Sequence, residues 1–197
     1  MRPDPALGVF TTLRVRDGVP ERLDAHLARL RNSVRELYGE TLPDVEIPNV
    51  DGAVRIVFVP GQGVRVEPRP LTRRELPIVL TPYVLPGGLG PHKWVDRRLI
   101  DSLDGTPLFL DADGTVLEAS WASVLVRRDG RLLTPRTDGR ILPSTSRPDA
   151  EETDIHLQDG DELFLSSALS GVVPAVLAAT TPAPALDTRR TRLRTGA

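Results

Sequence analysis

Apolar side chains recur at Leu23, Leu27, Leu30, Val34 and Leu37, spaced so that they fall in a single stripe along one face of a helix. Asp24 near its start suits the macrodipole, and Gly39 just past its end suits a left-handed terminating residue. Ahead of this helix the β-branched run VFTTLRVR (9–16) predicts a strand, closed by the turn pair Asp17-Gly18. After it, residues 40–52 are interrupted by proline and read as loop. Ala53–Val59 and Gly63–Pro68 predict a strand pair joined through Pro60-Gly61-Gln62-Gly63, and Pro77–Tyr83 predicts a further apolar strand. The strongest break is Pro86-Gly87-Gly88-Leu89-Gly90-Pro91, followed by an expected short helix at Val95–Ser102. Two hairpins follow. Leu108–Asp111 and Thr115–Ala119 flank Asp113-Gly114, and Ser123–Arg127 and Arg131–Thr134 flank Asp129-Gly130. Glu162–Leu165 reads as a short strand running into Ser166-Ser167-Ala168-Leu169-Ser170-Gly171. The pattern predicts a small α+β domain over 1–84, a larger hairpin-rich domain over 85–185, and a basic, solvated tail over 186–197.

Hydrophobic residues at 40% and charged ones at 26% fit a soluble globular chain, and a net charge of −2 argues against nucleic-acid binding by bulk electrostatics. The longest candidate for a membrane span, around Gly171–Ala179, is broken by Pro174. The opening MRPDPALGVF lacks a signal-peptide layout, and a chain without cysteine is expected to be cytoplasmic. His26, His92 and His156 are too scattered for a metal cluster, so no metal is expected. Asp111-Ala112-Asp113-Gly114 lacks the further acidic ligands of a calcium loop.

Composition adds one pointed fact. Of the 25 Lys+Arg residues a single one, Lys93, is lysine. An ammonium can shed its proton and attack a carbonyl, whereas a guanidinium stays charged. If Lys93 forms a Schiff base, the commonest partner is pyridoxal phosphate, which needs an acid facing its pyridine nitrogen and an anion cradle for its phosphate. Glu118 at a strand end is the candidate acid, and Ser144-Thr145-Ser146 and Ser166-Ser167 are candidate cradles. Each has a plainer reading: a surface lysine, an exposed strand-end carboxylate, ordinary Ser-rich turns.

Four blocks, in order, carry a family resemblance: VFTTLRVRDG with the His26-x-x-Arg29-Leu30-x-x-Ser33 pattern; HKWVDRRL; LFLDADGTVLEASWASVLVRRDGRLLTPRTDGRILPSTSR; and LFLSSALSGVVPAV. They resemble the fold-type IV pyridoxal phosphate enzymes, or class IV aminotransferases, which include branched-chain and D-amino acid aminotransferases and 4-amino-4-deoxychorismate lyase. The resemblance implies a shortened member with a two-domain α+β fold of the D-amino acid aminotransferase type. It implies that Lys93 forms the Schiff base and acts as acid and base, and that Glu118 pairs with the pyridine nitrogen. Arg29 would hold the phosphate, helped by Thr145, Ser146 and Ser167, although its place off the leucine stripe reads as a solvated helix position. Ser144-Thr145-Ser146-Arg147 stands where the family has Gly-x-Thr-Arg, and Asp96 where it usually has Asn. Tyr38 and Tyr83 are the only tyrosines for the cofactor's phenolic oxygen. The two Thr of VFTT and the Ser-Ala-Leu of the last block point toward lyase-like elimination of pyruvate, leaving 4-aminobenzoate. The alternatives are amino acid transamination, or a trimmed homologue that binds cofactor without turnover. A small amino substrate and a homodimer with the site near its interface are the expected partners.

Overall fold

The structure is a computed structural model and describes residues 2–179. The expected basic tail at 186–197 lies outside the described residues. Strand β1 (Val9–Arg16) turns through Asp17-Gly18 into the two-residue β2 (Val19–Pro20), and helix α1 (Leu23–Tyr38) follows. Strands β3 (Gly52–Val59) and β4 (Gly63–Arg69) complete a four-stranded sheet in the order β2-β1-β3-β4. Alternation along β1 sends Val9, Leu13 and Val15 into a core with Leu27, Leu30 and Val34 of α1 and Val54, Ile56 and Phe58 of β3. The leucine stripe is thus the face that α1 buries against this sheet. The helix ends on Gly39 in the left-handed region at φ 66°, its amide bonded to the Arg35 carbonyl.

The second sheet has eight strands. They are β5 (Ile78–Val84), then, after the single turn α2 (Arg98–Asp101), β6 (Thr106–Leu110), β7 (Val116–Ala119), β8 (Ser123–Arg128), β9 (Arg131–Pro135), β10 (Glu151–Thr153), β11 (Glu162–Ser167) and β12 (Gly171–Leu177). Their order is β10-β9-β8-β11-β12-β5-β6-β7, and the sheet curls so that β7 returns beside β8 and β9. One core lies within the curl, around Leu80, Leu108, Val124, Val126 and Leu165; another, around Tyr83, Phe109, Leu117 and Ile141, packs against Leu99 and Ile100 of α2. Among the described residues no helix is long and apolar enough to cross a membrane.

Three features depart from the sequence pattern. Strand β5 is hydrogen-bonded between β12 and β6, so the chain changes sheets within residues 70–77, ahead of the Pro86–Pro91 break. The helix expected at Val95–Ser102 shrinks to one turn. Its first residues are held extended, because Trp94 bridges Val9 and the Val95 amide donates to the Gly8 carbonyl at 3.0 Å. Finally, β12 forms despite Pro174, because β5 joins it only from Ala175 onward and leaves the proline outside that ladder.

Candidate active site

Lys93 is positioned by backbone before its side chain is considered. Its carbonyl accepts the Phe10 amide at 2.8 Å, so residues 93–95 act as an edge segment on β1. Gly8 carries the acceptor for the Val95 amide while lying tight against β3: at φ 90° a Cβ there would stand 2.0 Å from the Phe58 carbonyl oxygen. From this edge the Lys93 ammonium reaches over the Phe10 ring at 5.1 Å, while the Arg55 guanidinium stacks on the same ring at 3.8 Å. The neighbouring His92 is tied to α1 through Ser33 Oγ at 3.0 Å.

Lys93, Glu118, Arg29, Thr145, Ser146 and Ser167 line one cavity of about 310 Å³ between the two sheets. Burial pulls the Lys93 ammonium down to about 7, assisted by the positive charges of Arg29, Arg97 and Arg55 and opposed by Glu118. Glu118, at the end of β7, is 7% exposed. Burial pushes its carboxyl up to about 8, against the Leu142 backbone and the charges of Lys93, Arg97 and Arg29. Its Oε1 is buried with no hydrogen-bond partner among the described residues. A buried oxygen left in that state is costly unless a ligand donor meets it. The strand-end position therefore does not make Glu118 an exposed carboxylate.

Arg29 is not the solvated residue its place off the leucine stripe suggests. Its guanidinium donates to the Pro143 carbonyl at 2.7 Å and to Thr11 Oγ1 at 3.1 Å. Burial lowers its pKa to about 10, which leaves it charged at neutral pH. Arg22, His26, Arg29 and Ser33 form a polar row beside the apolar stripe, the first three turned to the Pro143–Thr145 turn and Ser33 to His92. In that turn Ser144 Oγ accepts the Ser146 and Arg147 amides at 3.4 and 3.1 Å, and the Ser146 carbonyl accepts Ser166 Oγ at 3.3 Å. Arg147 is drawn away to Glu152. Across the cavity Ser167 Oγ accepts the Ser170 amide at 3.1 Å.

Sequence reasoning passed over three contributors. His26 belongs to the quoted His-x-x-Arg motif yet was assigned no role; its three- and seven-residue spacing from Arg29 and Ser33 is the signal. Its Nδ1 lies 2.7 Å from Thr11 Oγ1 and its Nε2 3.1 Å from Thr145 Oγ1. Arg97 donates to the Ser120 carbonyl at 2.8 Å and lines the cavity near Glu118, which nothing local in the sequence foretells. Trp121 also lines it, its indole Nε1 buried without a partner among the described residues and its ring covered by Arg74 at 4.3 Å. Both tyrosines are engaged elsewhere, Tyr38 with the Pro5 carbonyl and Tyr83 with Asp104, and neither lines the cavity. Asp96 is a structural residue: it accepts the Asp4 and Arg98 amides at 2.9 and 3.1 Å and pairs with the Arg98 guanidinium. Asp111 binds Gly87, Ala112 and Arg140, which pins the Gly-Pro loop beside the hairpin.

Residues 101–177 match the family model described as amino-transferase class IV. A "Probable branched-chain-amino-acid aminotransferase" of Thermotoga maritima is 28% identical over 142 residues, which cover 62% of this chain and 51% of that protein. The chain thus spans about half the length of this curated relative. Among solved structures, a fold IV-transaminase from Curtobacterium pusillum superposes with a TM-score of 0.72 at 22% identity, over 91% of this chain and 81% of the other. The PLP-bound form of a hypothetical aminotransferase from Mycobacterium tuberculosis gives 0.68 at 23% identity, over 89% and 84%. A 4-amino-4-deoxychorismate lyase from Pseudomonas aeruginosa gives 0.65 at 21% identity, over 90% and 86%.

Proposed function

We propose that this chain, which carries the class IV aminotransferase match over residues 101–177 and the fold of fold-type IV transaminases and aminodeoxychorismate lyases, is a pyridoxal phosphate enzyme built on Lys93. The observation that carries the reading is Glu118 Oε1, a buried acceptor that finds no donor among the described residues, in the same cavity as the sole lysine. A protonated pyridine nitrogen is the donor that fits it. Arg29, Thr145, Ser146 and Ser167 supply cation and hydroxyls for the phosphate. Bound here, pyridoxal phosphate supplies an electron sink conjugated to the amine of the substrate.

The chain's own residues would then divide the work. With its pKa pulled down to about 7, Lys93 holds a free amine in a useful fraction at neutral pH, able first to attack a carbonyl and later to take a proton from the substrate Cα. Glu118 keeps the pyridine end charged. Arg97 and the Trp121 indole N–H, which has no partner among the described residues, are left over from cofactor binding and suit a carboxylate on the substrate.

Among reactions we favour elimination of pyruvate from 4-amino-4-deoxychorismate over transamination, supported by Thr12 and the Ser167-Ala168-Leu169 segment in the cavity wall. Conversion of aminodeoxychorismate to 4-aminobenzoate tests this directly. Accumulation of the pyridoxamine form with simple amino acids, without 4-aminobenzoate, would move the assignment to transaminase, and neither product would indicate a cofactor-binding homologue without turnover. The proposal includes a homodimer. Val79 and Val176 are register neighbours and are exposed together with Val172, on the same side of the sheet by alternation, an apolar face suited to a second copy. Light scattering of the purified protein measures this.

A further inference from the structure

We infer that His26 is a positioning residue, a neutral Nε2–H tautomer set by Thr11 that turns the Thr145 hydroxyl into an obligate donor toward the cavity. The inference rests on reading that cavity as the seat of a phosphate-bearing cofactor. It follows from counting protons along one buried chain of hydrogen bonds.

Thr11 is the one polar side chain in the row Val9, Thr11, Leu13, Val15 that faces α1, and it is fully buried. Its Oγ1 meets two partners, Arg29 Nη2 at 3.1 Å and His26 Nδ1 at 2.7 Å. A guanidinium only donates, so one lone pair of Oγ1 is taken. If His26 Nδ1 also carried a proton, Thr11 would accept twice and its own hydroxyl proton would be stranded in the core, at the cost of an unsatisfied buried donor. The satisfied arrangement has Thr11 donating to Nδ1. The imidazole proton then sits on Nε2, which donates to Thr145 Oγ1 at 3.1 Å. Doubly protonated imidazole would restore the stranded proton; burial and the charges of Arg29, Lys93 and Arg22 exclude it by holding the His26 pKa down at about 3.

Direction therefore runs from Arg29 through Thr11 and His26 to Thr145. Having accepted one proton, Thr145 Oγ1 keeps its own for the cavity that it lines. A phosphate dianion has only acceptors, so a hydroxyl committed to donating is the useful state. The same relay links the guanidinium and the hydroxyl of the cradle.

The experiment has two readouts. Long-range nitrogen-15 NMR of the unliganded protein reports the His26 tautomer, and Nε2–H is expected; Nδ1–H overturns the inference. Thr11→Val takes away the hydroxyl proton that Nδ1 accepts, so the single Nε2–H tautomer should give way to a mixture with Nδ1–H, in which part of the Thr145 hydroxyls turn from the cavity to the ring. The second readout is affinity for pyridoxal phosphate against pyridoxal, which lacks the phosphate, followed by tryptophan fluorescence. In Thr145→Val the preference for the phosphorylated form over pyridoxal should fall by roughly 10-fold or more; in Thr11→Val it should fall by a smaller factor, which Thr11→Ser should restore. An unchanged preference in both valine variants also overturns the inference. Should Thr11→Val fail to fold, the wild-type tautomer and Thr145→Val still decide. If wild-type protein binds neither compound, the cofactor reading fails, and the tautomer measurement judges the relay separately.

Discussion

The Lys93 carbonyl oxygen accepts the Phe10 amide proton at 2.8 Å, and the Lys93 ammonium stands 5.1 Å from the centroid of the Phe10 ring. One residue of β1 thereby fixes both ends of the lysine, its backbone by a hydrogen bond and its side chain by an aromatic floor. Placement of the reactive amine is a property of the small sheet, while its proposed counterpart Glu118 belongs to the large one. The chemistry needs the two sheets held in register.

The pH dependence of Lys93 has a definite sign. Its folded pKa of about 7 lies below the ordinary lysine value of 10.5, so the folded state binds fewer protons between those values and stability from this group rises with pH across that window. Below about 7 the cost of burying the ammonium is fully present. Lys93→Met should therefore stabilise the unliganded protein at pH 6, by on the order of 1–3 kcal/mol, with the advantage shrinking toward pH 10. Denaturant melts at the two pH values measure it. In the same frame, the rate at which wild-type protein captures pyridoxal phosphate should drop as pH falls through about 7.

Glu118 gives the complementary curve. Its folded pKa of about 8 lies above the ordinary glutamate value of 4.5, so stability from this group is full below 4.5 and declines as pH rises toward 8. Glu118→Gln removes that decline, and its thermal midpoint relative to wild type should rise between pH 5 and pH 8. Turnover should fall in the same variant, by roughly 10-fold or more, because a charge-assisted hydrogen bond is lost. Greater stability together with lower activity is the signature expected.

Gly8 is the backbone position that the Lys93 segment depends on. Gly8→Ala forces a Cβ to within 2.0 Å of the Phe58 carbonyl at a φ of 90°, so the strand edge must shift. A loss of about 2 kcal/mol or more is expected, read as a lower denaturation midpoint. Cofactor capture should weaken with it, because the Val95 amide bonds the Gly8 carbonyl two residues beyond Lys93.

Much of this was legible in the sequence, for identifiable reasons. The leucine stripe of α1 and the two Asp-Gly hairpins β6–β7 and β8–β9 are local, periodic signals, and the structure has them where the spacing puts them. Lys93 stood out through arginine's near-exclusive use elsewhere. What escaped notice was long-range. Strand β5 joins β12 through Ile78 and Ala175, a pairing that no local pattern encodes, and Pro174 disguised β12 as a break. His26 was overlooked because the stripe was read for apolar residues alone, while its partners Thr11 and Thr145 lie on two other elements.

Arg97 offers a prediction about substrate. Its guanidinium is anchored on the Ser120 carbonyl at 2.8 Å and lines the cavity beside Trp121. Arg97→Met should raise KM for a carboxylate-bearing substrate by roughly 10-fold or more and change kcat less. Equal affinity of wild type and variant for the substrate would remove the carboxylate assignment.

The central claim is that Lys93 carries the cofactor, and a chain with a single lysine makes it simple to test. Purified protein is mixed with pyridoxal phosphate, its visible spectrum recorded, borohydride added, and the product digested and weighed. A visible band abolished by borohydride and one reduced pyridoxyl phosphate adduct on the peptide containing Lys93 are expected. No band, or an adduct only on the N-terminal amine, would contradict it.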